Sequence, residues 1–185
     1  AVCEELVARH DIVKAGRRSG NLSVDMADRS SVDAMYEKPG PVDAVVSTAG
    51  DVHVGPLSDF TEDTFMVGLR NKVMGQVNLV LSGQTRLADG GSFTLTSGVL
   101  DRDPIRMGTG AATANGALGG FVVGAAIELQ RGLRVNVVSP GLLDVSEARY
   151  GAWFPGHESV SSKRVGRAYA KCVEGAITGQ VVIVE

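Results

Sequence analysis

Apolar residues fall into two kinds of pattern that alternate along the chain. Short runs that are apolar at nearly every position predict strands buried on both faces of a sheet, and they cover 42–47, 92–97, 133–138 and 180–184. Two shorter pieces, at 11–16 and 21–25, predict one further strand and an edge strand. Helical spacing occurs between the strands, at 1–8, 30–37, 61–85, 109–130 and 160–173. Alternating strands and helices predict an α/β fold with a three-layer, doubly wound parallel sheet.

Composition limits the classes of protein to which the chain can belong. Of its 185 residues, 44% are hydrophobic and 21% charged, which is ordinary for a single globular domain over 1–185. The net charge is −3 without a basic block, so we expect no nucleic-acid partner. No apolar run approaches the roughly 20 residues of a membrane span. Cys3 and Cys172 lack metal-ligand spacing, so we expect no bound metal. A cytoplasmic location is the default expectation.

The first residues of the chain already form part of a predicted amphipathic helix. Val2 and Leu6 lie on its apolar side, and neither a strand nor a glycine-rich turn comes before it. In a dinucleotide-binding βαβ unit, such a strand and turn lie directly before the helix. We therefore expect that the single dinucleotide-binding domain at 1–185 lacks its first strand and glycine-rich turn.

Several strand ends carry residues that can contact a ligand. One strand ends at Ser97, an earlier one runs into Ser47-Thr48-Ala49-Gly50, and a later one closes with Pro140 and Gly141. Asn115 lies between them, in a long helix of small residues. This order and spacing resemble the short-chain dehydrogenase/reductase family over nearly the whole chain. The resemblance implies a Rossmann-like fold and an oxidoreductase that uses a nicotinamide nucleotide.

The same resemblance assigns a cofactor site to particular residues. The assigned residues are Asp25 and Met26 at the adenine, Thr48, Ala49 and Gly50 along the nucleotide, Asn115 at the ribose, and Pro140, Gly141 and Leu142 at the nicotinamide. Alanine and glycine at a strand end let the backbone approach a nucleotide closely, because no larger side chain stands in the way.

The segment Arg17-Arg18-Ser19 bears on the choice of nucleotide. It follows a predicted strand at the place where dinucleotide folds contact the adenosine ribose. A carboxylate there favours NAD, whereas two guanidinium groups and a hydroxyl suit a 2′-phosphate through charge-assisted hydrogen bonds. We therefore predict that NADP(H) is preferred over NAD(H). The alternative is a pair of arginines in a solvated turn.

The catalytic residues depart from the family pattern. The family carries Tyr-x-x-x-Lys on the long helix, and here Ala111 and Asn115 occupy the two positions. The tyrosine mechanism is therefore excluded on this alignment. Ser97 is the candidate for binding the substrate oxygen. When Gly75 is matched to the glycine of the family's Asn-x-x-Gly, Lys72 takes the place of the active-site asparagine. We predict that Lys72 and Ser97 replace the missing pair, and the alternative is a solvated Lys72 with Asn71 as the true match.

These assignments predict a short-chain dehydrogenase/reductase-like oxidoreductase, which transfers a hydride between NADP(H) and a small carbonyl or alcohol substrate. The alternative is a catalytically silent NADP(H)-binding redox sensor or partner-binding protein. Residues 142–158 are expected to be irregular. The resemblance implies that residues 144–157 cover the substrate, with Tyr150, Trp153 and Phe154 as material for a small apolar pocket. The glycine-rich helix at 108–126 suggests close packing against a second backbone, and the resemblance implies a homodimer or homotetramer.

Overall fold

Parallel strands form the centre of the molecule in the computed structural model, which describes residues 1–185. A four-stranded sheet has the order β3-β4-β5-β6, and a separate two-stranded sheet pairs β1 with β2. The strands are β1 (Ala15–Gly16), β2 (Leu22–Ser23), β3 (Val42–Val46), β4 (Leu87–Thr96), β5 (Arg134–Pro140) and β6 (Val181–Val184). Neighbouring strands end at similar heights, since Val46 pairs with Thr94 and Thr96 pairs with Val138.

Helices connect successive strands of the sheet. They are α1 (Val2–Leu6), α2 (Arg29–Tyr36), α3 (Glu62–Gly68), α4 (Gly75–Gly83), α5 (Thr109–Ala126), α6 (Asp144–Tyr150) and α7 (Ser162–Glu174). A π-helical segment, Leu69–Met74, joins α3 to α4 without a break. Short 3₁₀ turns occupy Leu57–Asp59, Val99–Asp101 and Gly151–Trp153. No helix has both the length and the apolar character needed to cross a membrane.

The helices cover the sheet on both faces and give the molecule three layers. On one face, α2, α4 and α5 bury a core that includes Phe93, Leu95 and Leu118. On the other face, α7 packs Tyr169 and Cys172 against the sheet, and α1 lies against α7. The predicted α/β fold with a doubly wound parallel sheet is therefore confirmed.

Three predicted elements differ in the structure. Residues 142–158, expected to be irregular, contain α6 and a 3₁₀ turn. The Asp144 carboxylate accepts hydrogen bonds from the backbone N–H groups of Val145 and Ser162, which ties the start of α6 to the start of α7. The single helix predicted at 61–85 is divided by the π-helical segment, which contains Lys72. The strand predicted at 11–16 shortens to its last two residues.

Candidate active site

The C-terminal end of β4 is fixed by Asn115, which lies on the adjacent helix α5. The Asn115 side chain is buried, and its Nδ2 donates to the Gly98 carbonyl at 3.0 Å. Gly98 has a φ of 154°, and a Cβ there would lie 3.2 Å from Asn115 Nδ2. Glycine is therefore suited to this turn, because it lets the backbone approach the asparagine.

Lys72 reaches the same strand end from the π-helical segment. Its Nζ donates to Asn115 Oδ1 at 2.6 Å and to the Ser97 carbonyl at 3.0 Å. The structure thus brings Lys72, Ser97 and Asn115 together. Asn71 takes no part in these bonds, since its Nδ2 donates to the Val67 carbonyl one turn back along its own helix. It lines the cavity next to Arg17 and Arg18 instead. The alternative of a solvated Lys72 does not fit this arrangement.

Burial changes the acidity of the Lys72 ammonium. Removal from water lowers its pKa from 10.5 to about 8, against a smaller opposing effect of the Asp101 carboxylate. The stem of Lys72 packs against Gly50, where an added Cβ would come within 2.6 Å of Lys72 Cγ. An ammonium has three N–H donors, and the protein uses two of them here. One N–H therefore remains for another acceptor.

The Ser97 hydroxyl has no hydrogen-bond partner although it is buried. A buried hydroxyl without a partner costs about 1–3 kcal/mol, so such a group at a strand end calls for an explanation. Ser97 lines neither of the two cavities described below. Its hydroxyl is therefore unused by the protein's own hydrogen bonds.

An apolar cavity of 290 Å³ lies one helical turn from Asn115. Ala111, at the position of the family's tyrosine, forms part of its wall. The other walls come from the loops after β3, β4 and β5 and from α6 with its following turn. Gly141 and Leu142, predicted at the nicotinamide, also line it. The space next to Ala111 is therefore open and mostly apolar, and the phenol in its wall is that of Tyr150 on α6.

A second, more polar cavity of 390 Å³ lies beyond the end of β1. Its lining includes Arg17, Arg18, Met26, Ala49 and Gly50. The exposed guanidinium groups and the missing side chain at Gly50 fit an anionic nucleotide that lies along the strand ends.

The predicted adenine contact is already engaged by another group. Asp25 Oδ1 accepts from Arg17 at 3.0 Å and from the Ala27 backbone N–H at 3.1 Å. Asp25 therefore positions Arg17 in addition to any contact with a base. Arg18 has no hydrogen bond or ion pair. Ser19 and Thr48 are exposed and line neither cavity, and Pro140 is half-buried behind the crevice.

Gln76 supports the site and was not identified from the sequence. It is fully buried on α4, one turn after Lys72, where its Oε1 accepts from the Thr96 N–H at 2.7 Å. Its Nε2 donates to the Thr96 carbonyl at 2.9 Å. A single side chain thus satisfies both backbone groups next to Ser97. In the sequence, Gln76 is recognisable only as a polar residue among apolar ones, and this does not indicate which group it hydrogen-bonds.

Comparison with known families identifies the class of protein. A family model described as enoyl-(acyl carrier protein) reductase matches residues 3–184. The chain belongs to the short-chain dehydrogenase/reductase family, as its motifs predicted. Among curated proteins, none matches the chain significantly.

Solved structures are similar over most or all of the chain. The protein lin1944 from Listeria innocua is 43% identical with a TM-score of 0.98, and the match covers 100% of this chain and 92% of that one. A small-chain dehydrogenase in complex with NADPH is 27% identical with a TM-score of 0.83, over 100% and 91% of the two chains. A short chain dehydrogenase from Burkholderia cenocepacia J2315 in complex with NADP is 26% identical with a TM-score of 0.77, over 89% and 74%.

Proposed function

We propose that this protein is an NADP(H)-dependent oxidoreductase acting on a small carbonyl or alcohol substrate, with Lys72 as the proton donor. The observation that carries the proposal is that Lys72 contacts residues beside both cavities, although it lines neither of them. Its stem packs on Gly50, which lines the polar cavity, and its Nζ bonds Asn115, one turn from Ala111 in the apolar cavity. A proton donor is useful where a nucleotide site and a substrate site meet.

Several residues are suited to hold the nucleotide. Arg17 and Arg18 would bind a phosphate at the ribose, and Ala49 with Gly50 would let the backbone approach the nucleotide. Two of the similar structures are complexes with NADPH or NADP, which supports this choice of cofactor. When bound, the nicotinamide supplies or accepts the hydride.

Lys72 can serve the proton transfer that accompanies a carbonyl reduction. Its ammonium gives up one N–H proton to the oxygen that becomes the alcohol, and the neutral amine later regains a proton from solvent. Desolvation favours that neutral amine, because the lowered pKa of about 8 brings proton loss near neutral pH. Ser97 would hold the same oxygen through its unpartnered hydroxyl.

A catalytically silent NADP(H)-binding protein is the second candidate function. The hydrogen bonds of Lys72 are the observation that favours it. Lys72 Nζ bonds the Ser97 carbonyl and Asn115 Oδ1, so the lysine could serve only to hold the end of β4. In that case no carbonyl compound would be turned over, and Lys72→Met would lower stability while NADPH affinity stays unchanged.

The deciding experiment titrates the protein with NADPH and NADH and then screens small carbonyl compounds for NADPH oxidation. We expect tighter binding of NADPH than of NADH, and a loss of turnover of at least tenfold in Lys72→Met with little change in NADPH affinity. Lys163→Met, at an exposed position on α7, is the matched control. Turnover that survives in Lys72→Met would exclude the proton-donor role. If neither nucleotide binds, both the NADP(H)-dependent oxidoreductase and the silent NADP(H)-binding protein are rejected.

A further inference from the structure

The apolar cavity has walls of unusually uniform chemistry. Ten of its thirteen lining residues are hydrophobic, and none carries a charge. The polar groups of side chains in the wall are the Ser146 hydroxyl, the Tyr150 phenol and the Trp153 indole N–H. Burying a carboxylate, phosphate or ammonium against such walls without a partner costs several kcal/mol. The cavity therefore discriminates against charged ligands.

The size of the cavity limits what can enter it. Its volume is 290 Å³, whereas an apolar cavity of about 150 Å³ is enough for benzene. Ala111 contributes to this space, because a larger side chain at that position of the wall would fill part of it. Gly141 and Leu142, predicted at the nicotinamide, line the same cavity, so a bound nicotinamide would occupy part of this volume. The remainder fits a single six-membered ring or a short alkyl chain with one oxygen.

The cavity also lies close to the Lys72 ammonium, the proposed proton donor to the substrate oxygen. Ala111 lies four residues before Asn115 on α5, so the two side chains lie on one face of the helix. Asn115 bonds Lys72 Nζ at 2.6 Å. An uncharged group held against Ala111 thus lies about one helical turn from the ammonium.

We infer that the substrate is an uncharged, apolar carbonyl or alcohol compound of about one ring in size, bound in the cavity left open by Ala111. This inference rests on the proposed function for the reaction, but the binding preference stands on the walls of the cavity. The same walls disfavour substrates that would place a carboxylate or phosphate within the cavity, such as keto acids.

Trp153 provides a direct test, because it is the only tryptophan and lines the cavity with 47% of its surface exposed. Its fluorescence is titrated with cyclohexanol, which does not absorb at the excitation wavelength, and with the matched anion cyclohexanecarboxylate. We expect a saturable change with cyclohexanol and at least tenfold weaker binding of the anion. Equal binding of the two compounds would overturn the inference.

Two substitutions connect the signal to the cavity. Ala111→Leu should weaken cyclohexanol binding at least tenfold, whereas Ala112→Leu, the same change one residue along the helix, should not. Val54→Phe narrows the same cavity from the loop after β3. Because Val54 is 41% exposed, the fold should tolerate this change even if Ala111→Leu prevents folding. Unchanged affinity in both variants would place the ligand elsewhere and overturn the inference.

The test separates this inference from the proposed reaction. Cyclohexanol binding without any NADPH-dependent reduction of cyclohexanone would retain the ligand class and reject the oxidoreductase activity. NADPH-dependent turnover of an anionic ketone, with no binding of cyclohexanol, would retain the activity and reject the ligand class.

Discussion

Burial of the Lys72 ammonium makes its contribution to the free energy of unfolding depend on pH. Its pKa is 10.5 in the unfolded chain and about 8 in the folded protein. Between these values the unfolded state holds more protons, so the free energy of unfolding contributed by Lys72 rises with pH. Below about pH 8 the folded protein bears the full cost of the buried ammonium.

We therefore expect the unmodified protein to gain stability relative to Lys72→Met as pH rises from 8 to 10.5. The gain is on the order of 1–3 kcal/mol, reduced by the partial exposure of the side chain. Urea unfolding of both proteins across this range measures it, and the other titrating groups cancel in the difference. Parallel stability curves would show that Lys72 has an ordinary pKa.

The two arginines at the polar cavity differ in how they are held. Arg17 is paired with Asp25 at 3.0 Å, whereas Arg18 has no partner. Since hydrogen bonds to charged groups contribute about 1.5–3 kcal/mol, we expect Arg18→Ala to weaken NADPH binding roughly 10-fold to 100-fold and to leave NADH binding unchanged. Calorimetric titration with each nucleotide measures both.

Asp25→Asn is the companion variant for this prediction. It releases Arg17 from its carboxylate partner, so NADPH affinity should be kept or raised. An equal loss of both nucleotides in Arg18→Ala would contradict the 2′-phosphate assignment and leave the arginine pair as a solvated turn.

At the scale of elements, the close approach of α4 to the core depends on a glycine. A Cβ at Gly83 would lie 2.5 Å from Tyr36 Oη and 2.7 Å from Phe93, both in the core. Gly119 on α5 would meet only Val181 at 3.6 Å, which is an ordinary contact. Both positions are helical, so alanine's helical preference favours both substitutions by about 1 kcal/mol.

Overpacking costs about 1–3 kcal/mol and should outweigh that preference at Gly83 only. We expect Gly83→Ala to lower the midpoint of urea unfolding and Gly119→Ala to raise it slightly. If both variants become more stable, α4 does not lie as close to Tyr36 and Phe93 as the structure places it.

The helices and strands differ in how well the sequence predicted them. The strand predicted at 42–47 was found at Val42–Val46, because a continuous apolar run has no other stable place than a covered sheet. The π-helical turn at Leu69–Met74 could not be predicted, since hydrophobic spacing does not distinguish one widened turn. The helix α6 was missed because Pro155 and Gly156 made the whole segment look irregular.

Part of the candidate site could be predicted from the order of its residues along the chain. The resemblance placed Lys72, Ser97 and Asn115 near one strand end, and the structure brings them together. The bond between the Lys72 ammonium and Asn115 depends on the direction of a side chain in the π-helical turn. That direction follows from packing against Gly50, which lies far away in sequence.

The whole molecule has an uncovered apolar face on α5. Its exposed positions repeat at helical spacing and carry no charge, and they are Thr113, Gly116, Ala117, Gly120, Val123, Gly124 and Ile127. Ile127 is 87% exposed, and a Cβ at Gly120 or Gly124 would meet nothing within 4 Å. Small residues leave room for a second backbone to approach, which supports the proposed homodimer or homotetramer.

We expect the protein to associate through this face at micromolar concentration, as measured by light scattering coupled to size exclusion. Val123→Glu places a charge in the centre of the face and should lower the molecular mass to that of a smaller assembly or a monomer, because an unpaired carboxylate is costly to bury. Val7→Glu is the matched control, since Val7 is 63% exposed and Val123 is 56% exposed. A monomer in the unmodified protein would contradict the proposal. An equal effect of both substitutions would assign the association to general surface hydrophobicity, because only a specific interface on α5 distinguishes the two valines.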